Sequence, residues 1–152
     1  MTVPTFELVA SGNRWYRRAG RKRARNRFEH RLAEKDQPMP LPEFTRRLVE
    51  TTLTKYCVRK VPPHVRDKIR FGYRIRGNHV TLFTERPRFD QPSEWVDCVV
   101  AQFRFNPRDK KWSLYCADRN SRWHLYTLVA PRADFEALLQ EVDRDPTGIF
   151  YG

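Results

Sequence analysis

The sequence predicts an α+β domain: a five-stranded antiparallel sheet in meander order, packed with an N-terminal and a C-terminal helix and preceded by a basic arm. Two segments, near residues 50 and 138, repeat apolar residues at helical spacing, whereas the chain between them alternates apolar and polar residues with turn sequences at intervals. Hydrophobic residues make up 39% and aromatic residues 13% of the 152 residues, which is enough to bury one core.

The arm differs from the rest of the chain in charge and in proline content. Residues 11–31 hold nine arginines and lysines against one acidic residue, a net charge of +8 in a chain whose net charge is +12. The stretch DQPMPLP follows, and its prolines prevent a continuous helix into the next segment. We therefore place the arm and its linker at residues 1–41 and the domain at residues 42–152.

The domain begins with a helix predicted over about 42–57, because apolar residues recur there every three or four positions. The predicted apolar face consists of Phe44, Leu48, Val49, Leu53 and Tyr56. From Lys68 to Arg76 basic and apolar residues then alternate, Gly77-Asn78 forms a tight turn, and HVTLFTER continues as a second strand. This pattern is typical of a β-hairpin.

Three more strands and a second helix complete the predicted domain. WVDCVVAQFRF, about 95–105, should be a long and buried strand; the turns NPRDKK and DRNS lead to strands WSLYCA and RWHLYTLV. Pro131 ends the last strand, and DFEALLQEVD, about 134–143, forms the closing helix. The segment DPTGIFYG is predicted to turn and to contact the core through Ile149 and Phe150.

Charge and cysteine content restrict the classes of function. An isoelectric point near 10.2 favours an acidic polymer as partner. Cys57, Cys98 and Cys116 are widely spaced and lie in apolar segments, so we expect buried, reduced thiols and a cytoplasmic location. No segment approaches the roughly 20 apolar residues of a membrane-spanning helix. The face of the arm opposite its arginines carries only Ala19, Ala24 and Phe28, too little apolar surface for membrane attachment, so no membrane partner is predicted.

The arm is the main candidate binding site, and we predict that it binds nucleic acid, with RNA favoured over DNA. Several of its cations fall on one face of a helix, which like charges would keep only partly formed until phosphates neutralise them. Arginine bridges phosphates with two donors, and aromatic rings stack on exposed bases. The candidate residues are Arg14, Trp15, Tyr16, Arg17, Arg18, Arg21, Lys22, Arg23, Arg25, Arg27 and Arg31.

Other interpretations of the arm stay open at this point. A structured RNA such as ribosomal RNA is the favoured target, while DNA, non-specific nucleic-acid binding or an acidic protein partner are alternatives, as is a solvated tail with no partner. A secondary basic face is predicted on the first strand, at Lys68, Arg70, Arg74 and Arg76. It is either the ordinary exposed side of a half-buried sheet or a surface that follows a nucleic-acid backbone, and Glu85 and Asp97 would neutralise part of it.

The motifs of common enzymes and of metal or nucleotide sites do not occur in the sequence. The four histidines lack short ligand spacing, and there is no CxxC, glycine-rich phosphate loop or GxSxG, so we predict neither a metal nor a cofactor. The best catalytic candidates are Asp118, Arg119, Arg122, His124 and Tyr126. His124 as general base would suit a small, toxin-like endoribonuclease, with His124 and Tyr126 on one strand face. The alternative, which we favour, is that these are turn residues and half-exposed strand residues.

Three segments together resemble a family of small bacterial proteins known only as a domain of unknown function. They are HVRDKIRFGYRIRGNHVTLFTERP, the hairpin containing WSLY, DRN and RWHLY, and the terminal DPTGIFYG. The resemblance covers about Thr45–Gly152, with Tyr151 where the family leads us to expect tryptophan. It implies a bacterial, cytoplasmic protein and supports the domain boundary, but it implies no activity and no binding residues.

Overall fold

Five antiparallel strands, each paired with its neighbours in sequence, form a meander as predicted. The computed structural model describes residues 39–151. Within these residues the strands pair in the order β1-β2-β3-β4-β5, with one α-helix and a short 3-10 turn (Pro63–Val65) before the sheet and one α-helix after it. The elements are α1 (Glu43–Lys60), β1 (Arg70–Arg76), β2 (His79–Pro87), β3 (Trp95–Asn106), β4 (Lys111–Ala117), β5 (Trp123–Leu125) and α2 (Phe135–Arg144).

Helix α1 buries a narrower face than the sequence predicts. Val49, Leu53 and Tyr56 lie in the core, whereas Phe44 and Leu48 are 80% and 54% exposed. A helix turns about 100° per residue, so Leu48 and Phe44 lie roughly 100° and 140° around the axis from Val49. The expectation that these two residues face the core was therefore wrong.

The core lies between one face of the sheet and both helices. Cross-strand partners such as Val80 and Phe103 point to this face, and Leu114, opposite Phe103 on the other side, does so too. Phe135 at the start of α2 packs on Phe103 and on Trp112, with ring centroids 4.8 Å and 4.9 Å apart. The buried residues of both helices belong to the same cluster, so both helices cover the same face of the sheet.

Strand β3 is buried in only one of its halves. It pairs with β4 only from Gln102 onward, so its first residues have a neighbouring strand on one side alone. Val96 and Val99 are 41% and 37% exposed there, and the intervening Cys98 is also exposed. The predicted burial of this strand is correct from Val100 to Phe105 only, and the predicted burial of Cys98 was wrong.

Strand β5 ends earlier than predicted because the chain turns inward at Tyr126. The Tyr126 N–H donates to the carbonyl of Leu114 at 2.8 Å, and its ring is buried against Phe150 with centroids 5.1 Å apart. The chain then bends away and returns at Arg132, whose backbone exchanges hydrogen bonds with that of Trp112. The segment after Leu125 is therefore not a strand.

The C-terminal segment is held by the carboxylate of Asp145. This residue ends α2 with a left-handed backbone (φ 38°), and its side chain accepts hydrogen bonds from the N–H groups of Phe150 and Tyr151 at 3.2 Å and 2.8 Å. Phe150 is buried, which confirms its predicted contact with the core, whereas Ile149 is 48% exposed and was wrongly predicted to join it.

A group of three polar residues joins α1 to the C-terminal part of the domain, and we call it the tyrosine clasp: Tyr56, Asp143 and Tyr151. The Tyr56 hydroxyl donates to Asp143 Oδ1 at 2.6 Å and lies 2.9 Å from the Tyr151 hydroxyl. Burial, together with the bond to Asp143, raises the pKa of Tyr56, and burial raises that of Tyr151 to about 12. Both hydroxyls therefore stay protonated at physiological pH.

Candidate nucleic-acid interface

The sheet face opposite the helices, which we call the outer face, carries most of the polar and basic side chains of the strands. Because directly paired residues share a face, one row across the sheet runs from Arg74 through Thr81, Gln102 and Tyr115 to Leu125. Within residues 39–151 both helices pack on the other side, so no helix of this part of the chain covers the outer face. The outer face includes Arg70, Gly72, Arg74, Arg76, His79, Thr81, Phe83, Glu85, Trp95, Asp97, Gln102, Arg104, Lys111, Tyr115 and Trp123.

Three arginines of the outer face lie on aromatic rings. The guanidinium carbon of Arg70 is 3.9 Å from the ring centroid of Trp95, and that of Arg104 is 3.9 Å from the centroid of Tyr115. Arg74 lies 4.9 Å from the centroid of Phe83. Distances below about 6 Å place all three pairs within the range of cation–π attraction. The outer face therefore presents arginine planes that rings hold in place.

The glycine in β1 gives the Phe83 ring its position. Gly72 is paired with Phe83, and a Cβ at position 72 would lie 2.7 Å from Phe83 Cζ. Only a residue without a side chain leaves room for the ring to lie across the neighbouring strand. The ring is 9% exposed, beneath the guanidinium of Arg74.

Hydrogen bonds fix the position of the Arg104 side chain. Its Nε donates to Gln102 Oε1 at 2.7 Å, and Gln102 Nε2 donates to Thr81 Oγ1 at 3.1 Å. Burial and the charge of Arg104 lower the pKa of the neighbouring His79, so this histidine is neutral at pH 7. The positive charge on this part of the face therefore comes from Arg104 and from Arg76, which is paired with His79.

Cations outnumber carboxylates on the outer face. Arg70, Arg74, Arg76, Arg104 and Lys111 stand against Glu85 and Asp97. Asp97 accepts a hydrogen bond from Arg74 at 2.9 Å. Burial and the charge of Asp97 raise the pKa of Glu85, because both disfavour its ionised form. The predicted partial neutralisation is thus visible between Asp97 and Arg74, and the remaining charge favours an anion.

The structure places three of the four residues of the predicted secondary basic face together. Arg70, Arg74 and Arg76 share the outer side of β1, opposite the core-facing Phe71, Tyr73 and Ile75. Lys68 precedes the strand, in a turn where its N–H donates to the carbonyl of Val65 at 2.9 Å, so its placement on the strand was wrong.

Sequence reasoning missed Arg104 and the rings of the outer face, because their proximity to β1 depends on the register of four strands. The alternation of polar residues in β3 and β4 was the available signal. The predicted arm residues lie outside the described part of the chain; they are Arg14, Trp15, Tyr16, Arg17, Arg18, Arg21, Lys22, Arg23, Arg25, Arg27 and Arg31.

The predicted catalytic residues are only partly assembled. His124 Nε2 lies 2.9 Å from Asp118 Oδ2, and the other oxygen of Asp118 accepts hydrogen bonds from the N–H groups of Asn120 and Arg122. The bond to His124 is the main cause that lowers the pKa of Asp118. Among the hydrogen bonds of the described residues, none joins the side chain of Arg119 or Arg122 to His124 or Asp118.

Tyr126 does not share the environment of His124. The His124 side chain is 58% exposed, whereas Tyr126 is buried and its hydroxyl lies 3.5 Å from Glu141 Oε1. His124 is paired with the core residue Cys116, and the Tyr126 N–H bonds to the core residue Leu114, so the two side chains do lie on one side of the strand, as predicted. They differ in exposure, because His124 lies at the edge of the sheet and Tyr126 enters the core. In the described residues no cluster of three or more histidine, cysteine or acidic side chains has the geometry to hold a metal. No helix in this part of the chain is both long and apolar enough to cross a membrane.

Residues 39–151 form a small α+β domain whose antiparallel sheet is covered by helices on one face, as far as this part of the chain shows. The chain belongs to the family described as domain of unknown function DUF3024, which matches residues 41–152. This confirms the resemblance to an uncharacterised family. No curated protein and no solved structure matches the chain.

Proposed function

We propose that this protein binds nucleic acid without acting on it, and that its target is structured RNA, with ribosomal RNA as the favoured kind, in a bacterial cytoplasm. The observation that carries the proposal is the density of charge in the arm, a net +8 over residues 11–31, in which eight of nine cations are arginine. The excess of cations on the outer face supports it, since both surfaces favour a polyanion.

Arginine rather than lysine favours RNA as the polyanion. A guanidinium donates two parallel hydrogen bonds to a phosphate and stacks on bases, whereas an ammonium acts as a point charge. Arginine-rich segments that order on binding are a common mode of RNA recognition. In this proposal the arm supplies most of the affinity and the domain gives the complex its shape.

The test compares three full-length proteins for binding to a fluorescent RNA hairpin at several salt concentrations. The first is the parent. In the second, glutamine replaces Arg17, Arg18, Arg21 and Lys22, and in the third, Arg17, Arg18 and Arg21 become lysine. We expect the affinity of the parent to fall with salt at a log–log slope of about 0.7–0.9 per phosphate contact.

The glutamine protein should lose affinity and show a shallower slope, because it lacks four of the nine cations of residues 11–31 whose phosphate contacts release counterions. The lysine protein should keep the slope and bind the hairpin less tightly, since charge is kept but bidentate contacts are lost. A glutamine protein with the affinity and slope of the parent would refute the proposal. Hairpins of DNA with the same sequence distinguish RNA from DNA, and pull-downs that survive nuclease treatment would point to an acidic protein partner instead.

A small endoribonuclease centred on His124 is the second candidate, and the 2.9 Å contact between His124 and Asp118 favours it. A carboxylate that orients an exposed imidazole is the arrangement a general base requires. The test is cleavage of RNA by the parent and by His124→Ala. Cleavage by the parent that the substitution abolishes would establish the enzyme, whereas cleavage that is absent or equal in both would exclude it.

A further inference from the structure

We infer that the outer face of the sheet binds an unpaired stretch of RNA, with bases stacked on its arginine–aromatic pairs and phosphates held by its arginines. That the polymer is RNA rests on the proposed function. The inference adds which surface of the domain binds the RNA and that the RNA is unpaired where it is bound. It concerns the described domain, whereas the proposal above concerns the arm.

Aromatic rings on the outer face are not used by the core. Trp95, Tyr115 and Trp123 are partly exposed, while the core contains its own aromatic residues, including Trp112 and Phe103, on the other side of the sheet. A ring on a solvated strand face buries less apolar surface on folding than a ring in the core, so it contributes less to stability. Their concentration on one face indicates a surface that takes a flat, apolar partner.

The register places two of these rings next to each other. Tyr115 on β4 is paired with Leu125 on β5, so Trp123, two residues along β5, is its diagonal neighbour. Diagonal neighbours across antiparallel strands lie about 7–8 Å apart, within reach of aromatic side chains. Arg104 lies on the Tyr115 ring, which makes this group an aromatic and cationic platform.

A second platform lies at the opposite end of the face. Arg70 on the Trp95 ring is separated from the first platform by about two strand spacings and about six residues along the strands, or about 20 Å. Between the two platforms lie Arg74 and the Phe83 ring. Bases can therefore be held at separate points while the chain between them passes over positive charge.

The arginines favour unpaired bases over other acidic partners. Each guanidinium is already held against a ring, so its plane is oriented before a ligand arrives. Bases stack on such planes and on aromatic rings only when they are free of a duplex, since paired bases stack on one another. The carboxylates of an acidic protein would pair with the arginines, but they would not stack on the guanidinium planes or the rings.

The experiment uses the full chain with two RNA probes, an oligouridine of about 12 nucleotides and a blunt duplex of the same length. The variants are Trp95→Leu, Tyr115→Leu and the double substitution. The matched control is Phe44→Leu, since Phe44 is 80% exposed on α1, which covers the other face of the sheet. Affinity is measured by fluorescence anisotropy, and unfolding midpoints check that each variant is folded.

We expect about a tenfold loss of oligouridine affinity for each ring removed, because stacking on one ring contributes on that scale. Duplex affinity should stay within about twofold, since duplex binding depends on charge. Arg104→Lys should weaken oligouridine binding with an unchanged salt slope, because the charge stays while the stacking plane is lost. Phe44→Leu should behave as the parent.

Oligouridine affinities of the ring variants that equal the parent's, or equal losses for oligouridine and duplex, would overturn the inference. These outcomes differ from a failure of the proposed function. If the arm does not bind RNA, the glutamine protein described above keeps the parent's affinity for both probes. If only the inference fails, the arm variants weaken binding and the ring variants do not.

Discussion

Replacing Asp145 by alanine should destabilise the domain by about 3 kcal/mol. Its carboxylate accepts two backbone hydrogen bonds, from Phe150 at 3.2 Å and from Tyr151 at 2.8 Å. We take about 1 kcal/mol for each, because both lie near the surface. The backbone at position 145 is left-handed (φ 38°), which costs alanine about 1 kcal/mol more, since aspartate tolerates this conformation better.

The matched variant is Asp145→Asn, which tolerates the left-handed conformation and keeps one neutral acceptor. We expect it to lose about 1 kcal/mol. Unfolding in urea, followed by tryptophan fluorescence, measures both free energies of unfolding. A loss below about 1 kcal/mol for the alanine variant, or equal losses for the two variants, would refute the role assigned to the carboxylate.

Three further outcomes are expected. Since burial and Asp97 raise the pKa of Glu85, this residue takes up a proton at a higher pH than an ordinary glutamate, so oligouridine affinity should increase as the pH is lowered through that raised pKa. His79 on the same face also gains a proton as the pH falls, so Glu85→Gln should reduce that increase rather than abolish it, and an unchanged pH profile in this variant would contradict the assignment. A thiol reagent should modify Cys98 in the folded protein but not Cys57, whose pKa burial raises to about 12, nor the buried Cys116; rapid labelling of all three before unfolding would contradict this arrangement. Phe103→Ala should lower the free energy of unfolding by about 3–5 kcal/mol, measured in urea, because Phe103 is fully buried; a loss below about 1 kcal/mol would show that its site is not core.

The order and type of the elements could be predicted because they depend on local periodicity. The alternation around Phe71, Tyr73 and Ile75 and the Gly77-Asn78 turn predict the first hairpin without reference to the rest of the chain. Gly77 indeed has a left-handed backbone (φ 56°). Sequential turns then lead directly to a meander, since neighbouring strands in sequence tend to pair.

Burial was predicted less well wherever it depends on which elements cover a segment. Cys98 and Val96 have the composition of a buried strand but lie where β3 has no partner on its β4 side. Phe44 and Leu48 follow helical spacing, but they face away from the sheet. Only the tertiary arrangement decides these cases.

The sequence predicts the basic face of β1 but not the contacts between its arginines and rings on other strands. Arg70, Arg74 and Arg76 alternate along one strand, so their common face was predictable. The approach of Arg70 to Trp95 and of Arg104 to Tyr115 depends on strand register and on a bulge between Leu82 and Phe83, which shifts the pairing of β2 with β3. A single sequence contains no direct signal for either.

The tyrosine clasp has a consequence for the lifetime of the folded domain. Its bonds from Tyr56 to Asp143 and Tyr151 span 87 and 95 residues of sequence, whereas every strand pairs with a neighbour in the chain. Contacts between near neighbours form readily, and those that close long loops form late in folding. Interactions absent from the folding transition state slow unfolding without accelerating folding. We therefore expect the clasp to slow the unfolding of the domain and to leave its folding rate unchanged.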